Sequence, residues 1–307
     1  MRLATLRTER GPRLAAVVEG GAVAETRPHD DLLQPELVIL PAALGSLDDV
    51  VRGGPGALEA ARIAAADGER VPLDPASLAA PLSRFNRDIL CTGWNYWDHF
   101  YESAGKREGQ DPKAKPEHPT FFTKGPDTVI GPADDIAFDP TLSSHWDYEA
   151  ELALVIGRDG RSIRAEDAWD HVFGFCVAND VSLRDVQRAH GGQWLKGKSI
   201  DQTMPLGPWI TTIDEVPGPA ALRVECEVDG QLLQSASTGE MAFPMPTLIA
   251  ELSRGMTLRA GDVLLTGTPS GIGNAREPQI FLGDGNIIET RVSGLGTLRN
   301  RVTQTTL

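Results

Sequence analysis

The segment from His145 to Gly157 (HWDYEAELALVIG) constrains the fold most, because it places two carboxylates inside an apolar stretch. Side chains alternate between the two faces of a β-strand, so Glu149 and Glu151 point to the same face. The next residues on that face, Ala153 and Val155, are apolar. Burying two neighbouring carboxylates costs several kcal/mol unless a cation lies between them. The pattern therefore predicts a buried strand with a cation site rather than a solvated sheet face.

A third acidic residue, Asp180, ends the apolar run VFGFCVAN that begins at Val172. An acid in this position is often only a turn or cap residue. Asp147 shares the parity of Glu149 and is a further candidate ligand. Carboxylates without a matching set of cysteines and histidines favour a hard cation, Mg²⁺ or Mn²⁺, over zinc.

The segment CTGWNYWDHFYE, from Cys91 to Glu102, contains a candidate acid–base pair. If residues 96–103 form a helical turn, His99 and Glu102 lie next to each other at positions i and i+3. A carboxylate beside an imidazole orients the ring and favours its protonated form, which is the arrangement of a general base. An exposed His–Glu pair on a helix explains the spacing equally well.

Two glycine-containing segments resemble anion-binding loops. The first, GQWLKGKS from Gly192 to Ser199, matches the P-loop pattern. It lacks the preceding apolar strand, and Pro205 and Pro208 prevent a long helix after it, so we do not expect it to bind a nucleotide. The second, GTPSGIG, offers backbone N–H groups and the Thr268 hydroxyl to an anion, although a tight turn accounts for it equally well.

Composition narrows the possible partners. The 307 residues suggest about two domains, and the net charge of −14 argues against nucleic acid or an anionic membrane as the main partner. The three cysteines are widely spaced and odd in number, which fits neither a disulfide framework nor a zinc site and favours a cytoplasmic location. No apolar run is long enough to span a bilayer, and the first residues do not form a signal peptide.

The sequence pattern changes at about residue 88. Residues 1–82 read as a small α/β unit and residues 72–87 as a linker, whereas strands with strong turn signals follow from residue 88. The individual elements that we predict are strands on either side of the Gly20–Gly21 turn, a strand at 37–40, a helix at 57–67, a mobile loop at 103–119, a strand at 222–228 leading into an Asp229–Gly230 hairpin, a helix at 246–253 and a strand at 261–266.

Taken in order, these segments resemble the fumarylacetoacetate hydrolase family. The resemblance covers residues 88 to 303 and is carried by GWNYWDHFYE (93–102), FFTKGPDTVIGP (121–132), DYEAELALVIG (147–157), NDVSLRDVQ (179–187), QWLKGKSID (193–201), PLGPWI (205–210) and GDVLLTGTPSGIG (261–273). It implies a β-rich α+β fold, in which a mixed β-sandwich or roll forms a catalytic domain at 88–305. The small N-terminal α/β domain at 1–82 carries no motif of the family. The resemblance also implies a homodimer.

The resemblance assigns roles to eight residues: Glu149, Glu151 and Asp180 as metal ligands, His99 and Glu102 as the catalytic dyad, Gln187 and Thr268 as substrate contacts, and Lys198 as both a substrate contact and a catalytic residue. The sequence departs from the family pattern at two places. Thr92 stands where the animal enzyme has a fourth carboxylate ligand, and the loop after Glu102 is longer than in the simplest members.

The chemistry that the resemblance implies is Mg²⁺-dependent hydrolysis of a C–C bond in an acylpyruvate-type 2,4-diketo acid, through a metal-stabilised enolate, in the breakdown of aromatic compounds or sugar acids. Mn²⁺ is an alternative metal. The same enolate arises in a 2-hydroxyhepta-2,4-diene-1,7-dioate-type isomerase and in an oxaloacetate-type decarboxylase, and both stay open. A metal-dependent acid-binding protein without turnover is a further alternative, against which the complete dyad argues.

Overall fold

Strands dominate the architecture, as the turn signals predict. The computed structural model describes residues 1–19, 35–105 and 114–305. The strands are β1 Arg2–Leu6, β2 Arg13–Val18, β3 Glu36–Ile39, β4 Arg70–Pro72, β5 Leu78–Ala79, β6 Ile89–Gly93, β7 Thr120–Lys124, β8 Val129–Ile130, β9 Ile136–Phe138, β10 Trp146–Asp147, β11 Ala150–Ile156, β12 Gly160–Arg161, β13 Val172–Asn179, β14 Ser182–Leu183, β15 Met204–Thr212, β16 Arg223–Val228, β17 Gln231–Ser237, β18 Thr257–Leu258, β19 Val263–Leu265, β20 Ile287–Val292 and β21 Gly296–Gln304. The α-helices are α1 Leu47–Ala66, α2 Trp97–Glu102, α3 Arg184–Ala189, α4 Leu195–Lys198 and α5 Met245–Ser253.

The largest sheet runs through both parts of the chain. Its strand order is β4-β3-β2-β1-β15-β13-β11-β19-β6-β7, with β5 beside β1 and β8 beside β15. The N-terminal strands join it because β1 pairs antiparallel with β15, where Leu3 lies opposite Ile210. The division into domains at 1–82 and 88–305 stays a prediction. The two segments are joined by this shared sheet.

A second sheet, with the strand order β17-β16-β20-β21-β9, packs against one face of the first. Strand β11 lies between the two hydrophobic cores. Leu152 and Leu154 face the core that includes the second sheet, whereas Ala153 and Val155 face the core that includes residues of α1. Every residue of β11 is buried. The β-rich α+β sandwich is therefore confirmed, and the alternative of a solvated face on this strand is wrong.

Most of the predicted elements in the described residues are present. The hairpin forms between β16 and β17, and Asp229 and Gly230 at its turn have φ values of 51° and 79°. The predicted helix at 57–67 is only the second part of α1, which begins ten residues earlier at Leu47. Ser46 and Asp49 form a capping box there, and Gly54, with φ 66°, interrupts the helical backbone before Pro55. We had not identified that capping box as a helix start.

Other predictions have different outcomes. The expected linker at 72–87 contains β5 and the buried Leu82, so part of it packs into the core. The Gly20–Gly21 turn and residues 106–113 of the expected mobile loop lie outside the described residues. No described helix is both long enough and apolar enough to cross a membrane.

Candidate active site

The three predicted metal ligands converge at the paired ends of two neighbouring strands. In the antiparallel register of β11 and β13, Glu151 lies opposite Ala178. The backbone N–H of Asp180 donates to the Glu149 carbonyl at 2.9 Å. This hydrogen bond holds the start of β11 next to the end of β13. Carboxylate oxygens of Glu149, Glu151 and Asp180 all lie within 4.8 Å of one another, and all three residues are buried. Glu149 directly precedes β11, and its carboxylate lies on the same side as that of Glu151, as predicted.

Cationic side chains surround two of these carboxylates. Lys198 Nζ lies 2.8 Å from Glu149 Oε2 and 2.6 Å from Asp180 Oδ2. Lys124 Nζ lies 2.9 Å from Asp180 Oδ1, and Arg184 Nη1 lies 2.6 Å from Glu149 Oε1. Burial alone raises the pKa of Glu149, but the charges of Lys198 and Arg184 outweigh burial and lower this pKa below its ordinary value.

Glu151 is the carboxylate that lacks such compensation. Burial and the negative charges of Asp180 and Glu149 raise the pKa of Glu151 well above its ordinary value. Its Oε2 accepts the Gly267 backbone N–H at 2.6 Å, and within the described ranges it forms no ion pair with a lysine, arginine or histidine. A divalent cation fits this donor set, because three hard oxygen ligands are present and one of them is left without a positive partner.

Asp147 does not belong to this cluster, so its candidature as a further ligand is not supported. Its oxygens accept the backbone N–H groups of Gly273 at 2.7 Å and Asn274 at 3.0 Å, and the Arg184 Nε at 2.8 Å. Asp147 therefore holds Arg184 beside the carboxylates and ties the loop after β19 to β10.

His99 and Glu102 form the expected pair on α2, where His99 Nδ1 lies 2.8 Å from Glu102 Oε1. His99 is buried, so the alternative of an exposed pair is wrong. Glu102 Oε2 accepts the Gly271 backbone N–H at 2.7 Å, which fixes the carboxylate. Because the carboxylate accepts the proton on Nδ1, the neutral ring carries its unprotonated nitrogen at Nε2, and this atom is the one able to act as a base.

His99 of the dyad and Glu149 of the carboxylate cluster line the same cavity. We call it the inner cavity. It has an empty volume of about 290 Å³ and is lined by Thr92, Gly93, Trp94, His99, Phe122, Glu149, Arg184, Gln187, Trp194, Lys198 and Thr268. A more open space beside it, the outer cavity, has an empty volume of about 410 Å³ and is lined by Trp94, His99, Ser103, Arg184, Gln187, Arg188, Trp194, Ile272 and Asn274. Five of the eight residues to which the resemblance gives roles thus line the inner cavity.

Gln187 and Thr268 line the inner cavity, and their polar groups form some hydrogen bonds with other residues of the protein. Gln187 Oε1 accepts from Arg184 Nη1 at 3.3 Å, which directs the amide of Gln187. The Thr268 hydroxyl donates to the Ala150 carbonyl at 2.9 Å and accepts from Gln234 Nε2 at 2.8 Å. A ligand oxygen therefore meets a Thr268 hydroxyl whose proton is already donated to the protein.

Two charged residues of the site, Lys124 and Arg184, were not among the predicted site residues. Lys124 is fully buried, and its Nζ also donates to the Val181 carbonyl at 2.8 Å. Burial lowers the pKa of Lys124, against the opposing charge of Asp180. Both residues lie within segments that carry the family resemblance. The position of Lys124 directly after the strand residues TFFT is the sequence feature that could have indicated a buried lysine.

Three aromatic rings form one wall of the inner cavity. The Trp194 ring contacts those of Trp94 and Phe122 edge to face, with centroids 5.0 Å apart in both pairs. Gly93 lies against Trp194 so closely that a Cβ atom at this position would overlap the indole ring. The segment GQWLKGKS therefore supplies a cavity wall through Trp194 and a buried cation through Lys198.

This segment lacks the context of a P-loop, as predicted. It follows the short helix α3 rather than a strand, and it contains α4, which has only four residues. A phosphate-binding loop instead connects a strand to the N-terminus of a long helix.

Comparison with known proteins gives the same family as the motifs. A family model described as Fumarylacetoacetate (FAA) hydrolase C-terminal matches residues 88–303. Oxaloacetate tautomerase YisK of Bacillus subtilis is 43% identical over 230 residues, which is 75% of this chain and 74% of that protein. The mitochondrial oxaloacetate tautomerase Fahd2a of Rattus norvegicus is 37% identical over 284 residues, which is 92% of this chain and 84% of that protein.

Solved structures extend the likeness over the whole chain. Fumarylacetoacetate hydrolase from Exiguobacterium antarcticum superimposes with a TM-score of 0.80 at 34% identity, covering 99% of this chain and 100% of that chain. Maleylpyruvate hydrolase from Sphingobium sp. SYK-6, solved in complex with manganese(II) and pyruvate, superimposes with a TM-score of 0.76 at 29% identity and covers 100% of both chains.

Proposed function

This chain belongs to the fumarylacetoacetate hydrolase family, and we propose that it is a divalent-cation-dependent enzyme that interconverts the keto and enol forms of oxaloacetate or a closely related 2-keto acid. The observation that carries the proposal is the buried His99, which is held by Glu102 and lines the inner cavity together with Glu149 and Lys198. A tautomerase needs a base that removes a proton from carbon 3 and a positively charged environment for the resulting oxyanion. Both elements line this cavity.

We propose Glu149, Glu151 and Asp180 as the residues that hold the cation, with Mg²⁺ as the first candidate and Mn²⁺ as the second. Their convergence within 4.8 Å and the uncompensated charge of Glu151 support this assignment. A bound divalent cation would supply a Lewis acid that withdraws electron density from a 2-keto oxygen. Manganese(II) in the related maleylpyruvate hydrolase also supports a divalent metal.

The remaining steps fall to side chains of the protein. Nε2 of His99 accepts the proton from carbon 3 of the keto form, and the Glu102 carboxylate stabilises the imidazolium and keeps Nδ1 protonated. The same proton, or one from solvent, is then delivered to the 2-keto oxygen. Lys198 stabilises negative charge on the substrate through its ammonium group, and the Gln187 amide N–H groups orient the 2-keto acid by hydrogen bonds. Thr268 contacts the substrate as part of the cavity wall, because its hydroxyl proton is donated to the Ala150 carbonyl.

Hydrolysis of a C–C bond in an acylpyruvate is the second candidate, and it is the reaction that the family resemblance by itself implies. Its support is the likeness to maleylpyruvate hydrolase over the whole chain. In that reaction His99 would deprotonate a water molecule instead of carbon 3. We place tautomerisation first because the oxaloacetate tautomerase YisK is 43% identical to this chain, whereas the hydrolase is 29% identical. Isomerisation of a dienedioate and decarboxylation of oxaloacetate use the same enolate and are further alternatives.

A substrate panel tests the proposal. Chelated protein is assayed with and without added Mg²⁺ on enol-oxaloacetate, acetylpyruvate and maleylpyruvate, following loss of the enol absorbance and release of pyruvate. We expect Mg²⁺-dependent acceleration of oxaloacetate tautomerisation, and a fall of about 10²–10⁴-fold in His99→Ala. Cleavage of a diketo acid without tautomerisation would replace the proposal by the hydrolase. The expected homodimer stays a prediction, which sedimentation equilibrium checks directly.

A further inference from the structure

The glycine loop, which comprises residues 267–273 after β19, supplies the backbone group that holds Glu102. It contains three glycines, and Gly267 and Gly271 have φ values of 100° and 106°. Because glycine adopts positive and negative φ about equally readily, the backbone at these positions has several conformations of similar free energy. Gly271 nevertheless donates its N–H to Glu102 Oε2 at 2.7 Å. Contacts from other parts of the chain are therefore needed to keep this N–H in its direction.

Two side chains donate to the carbonyl oxygen of Gly271. Tyr148 Oη lies 3.0 Å from this oxygen, and Arg276 Nε lies 3.1 Å from it. Arg276 Nη2 also donates to the Leu233 carbonyl on β17, an edge strand of the second sheet. The Gly271 backbone is thus tied to β17 through Arg276 and to the segment between β10 and β11 through Tyr148. We call Arg276 and Tyr148 the clamp.

Gly271 packs closely against β17 beneath the clamp. A Cβ atom at this position would lie 2.1 Å from the Leu233 carbonyl oxygen, so only glycine fits there. The planar guanidinium of Arg276 reaches the carbonyl oxygens of both residues, a geometry that the single ammonium group of a lysine does not reproduce. Arg276 lines neither cavity, and in the described part of the chain no carboxylate pairs with it. Its hydrogen bonds therefore hold the backbone of the loop rather than a ligand.

The clamp is connected to the base through two hydrogen bonds in series. The Gly271 N–H holds one oxygen of Glu102, and the other oxygen holds His99 Nδ1 at 2.8 Å. A rotation of the Gly271 backbone would break the first bond and allow the carboxylate to turn away from the imidazole. Tyr148 directly precedes Glu149 in the chain, so the clamp also fixes the base relative to the carboxylate cluster.

We propose that Arg276, together with Tyr148, is a positioning residue for the base: by holding the Gly271 backbone it keeps Glu102 oriented, and Glu102 keeps the proton of the neutral imidazole of His99 on Nδ1. The inference rests on the proposed function in that His99 is the base. Because the clamp contacts neither the inner nor the outer cavity, its loss should lower turnover without weakening the binding of a ligand.

The kinetics of Arg276→Met test this separation. We expect kcat for oxaloacetate tautomerisation to fall by about 10- to 100-fold, because a displaced base loses the geometry of proton transfer. The Kd of oxalate, a mimic of the enolate, should stay within about threefold of the wild type in calorimetric titration of the Mg²⁺-loaded protein. Arg87→Met is the matched control, because Arg87 also donates to a backbone carbonyl, that of Thr257 at 2.9 Å, and lines neither cavity. This control should leave kcat unchanged.

A double-mutant cycle shows whether Arg276 acts through Glu102. In Glu102→Gln the carboxylate that the clamp positions is already gone, so adding Arg276→Met should lower kcat by less than about threefold. Tyr148→Phe is a second variant of the clamp, which removes only a hydroxyl group from a buried ring. It should lower kcat by about threefold or more, again without a change in the Kd of oxalate.

Nitrogen-15 NMR of the histidine side chains measures the imidazole tautomer without turnover. In the wild type, with the ring neutral, we expect His99 to have a protonated Nδ1 and an unprotonated Nε2. In Arg276→Met the two nitrogen resonances should move towards each other, because both tautomers become populated. The spectrum of His99→Ala identifies the resonances that belong to His99.

The outcomes distinguish this inference from the proposed function. An unchanged imidazole tautomer and an unchanged kcat in Arg276→Met overturn the inference even if the wild type tautomerises oxaloacetate. Losses that multiply in the double variant, or an equal loss of affinity for oxalate, also overturn it, because Arg276 would then act on the fold or on another part of the site. If the tautomer of His99 depends on Arg276 but the wild type does not tautomerise oxaloacetate, the inference holds and the proposed function fails.

Discussion

The Gly271 backbone N–H donates a hydrogen bond to Glu102 at 2.7 Å, across 169 residues of sequence. This bond occupies one carboxylate oxygen, and the other oxygen holds His99 at 2.8 Å. The glycine loop after β19 therefore fixes the orientation of the carboxylate, and the carboxylate fixes the tautomer of the imidazole.

The first prediction concerns this arrangement. In Glu102→Gln the amide oxygen can still accept from Gly271, so the amide nitrogen faces His99 Nδ1 and donates to it. His99 then carries its proton on Nε2 and loses its base at the cavity. We expect kcat to fall by about 10²–10⁴-fold with little change in the thermal melting temperature. Activity within about threefold of the wild type would show that His99 is not the base.

The second prediction concerns the carboxylate cluster. Addition of Mg²⁺ or Mn²⁺ to chelated protein should raise the free energy of unfolding, by about 2.7 kcal/mol when the metal exceeds its Kd a hundredfold. Glu151→Gln should lose this response, because one ligand is gone. Without metal the variant should be no less stable than the wild type, since burial and neighbouring acids already raise the pKa of Glu151 and disfavour its charged form.

Glu59→Gln is the control for this experiment, because Glu59 is exposed on α1 and should leave the metal response intact. Denaturant titrations at several metal concentrations measure each effect. An undiminished metal response in Glu151→Gln would exclude Glu151 as a ligand.

The third prediction concerns Lys124, whose ammonium group is enclosed between Asp180 and the Val181 carbonyl. Lys124→Met removes a buried cation and leaves Asp180 with Lys198 as its remaining positive partner. We expect a loss of about 3 kcal/mol in the free energy of unfolding of the metal-free protein. Lys196→Met, on the exposed side of α4, should change it by less than about 0.5 kcal/mol. Equal effects of the two substitutions in urea titrations would contradict this role.

The fourth prediction concerns the aromatic wall. In Gly93→Ala the added methyl group overlaps the Trp194 ring, so the wall of the inner cavity must move. We expect kcat/KM to fall about tenfold or more while the circular dichroism spectrum is unchanged. Gly56→Ala on α1 adds a methyl group into open space and should leave activity unaltered. If Gly93→Ala is as active as Gly56→Ala, the position of Trp194 does not matter for catalysis.

Much of the site could be predicted from local patterns. The alternation of an extended segment places Glu149 and Glu151 on one side, and the i, i+3 spacing places Glu102 beside His99. Both relationships depend only on the side-chain periodicity of one strand or one helix, so they can be predicted from a short segment of sequence. The family motifs added Asp180, whose position at a strand end was ambiguous by itself.

Relationships between distant segments could not be predicted in the same way. Lys124 reaches Asp180 only because β7 and β13 belong to one sheet, and no local pattern indicates which lysine fills a given buried position. The role of Asp147 was misjudged for a related reason. Asp147 is separated from Glu149 and Glu151 by an even number of residues, so regular alternation would place all three on one face. The strand is interrupted between β10 and β11, however, and the Asp147 carboxylate instead contacts Arg184 and the backbone of Gly273.

By itself the sequence determined the family, the β-rich class of the fold and the chemical types that gather at the site, because these follow from the periodicity and the motifs of contiguous residues. Only the tertiary structure decided that the N-terminal strands extend the central sheet, that Gly271 orients Glu102, and that Asp147 holds Arg184 beside the carboxylates. Each of these depends on which strands pair and which surfaces pack, and that choice minimises the free energy of the whole chain rather than of any one segment.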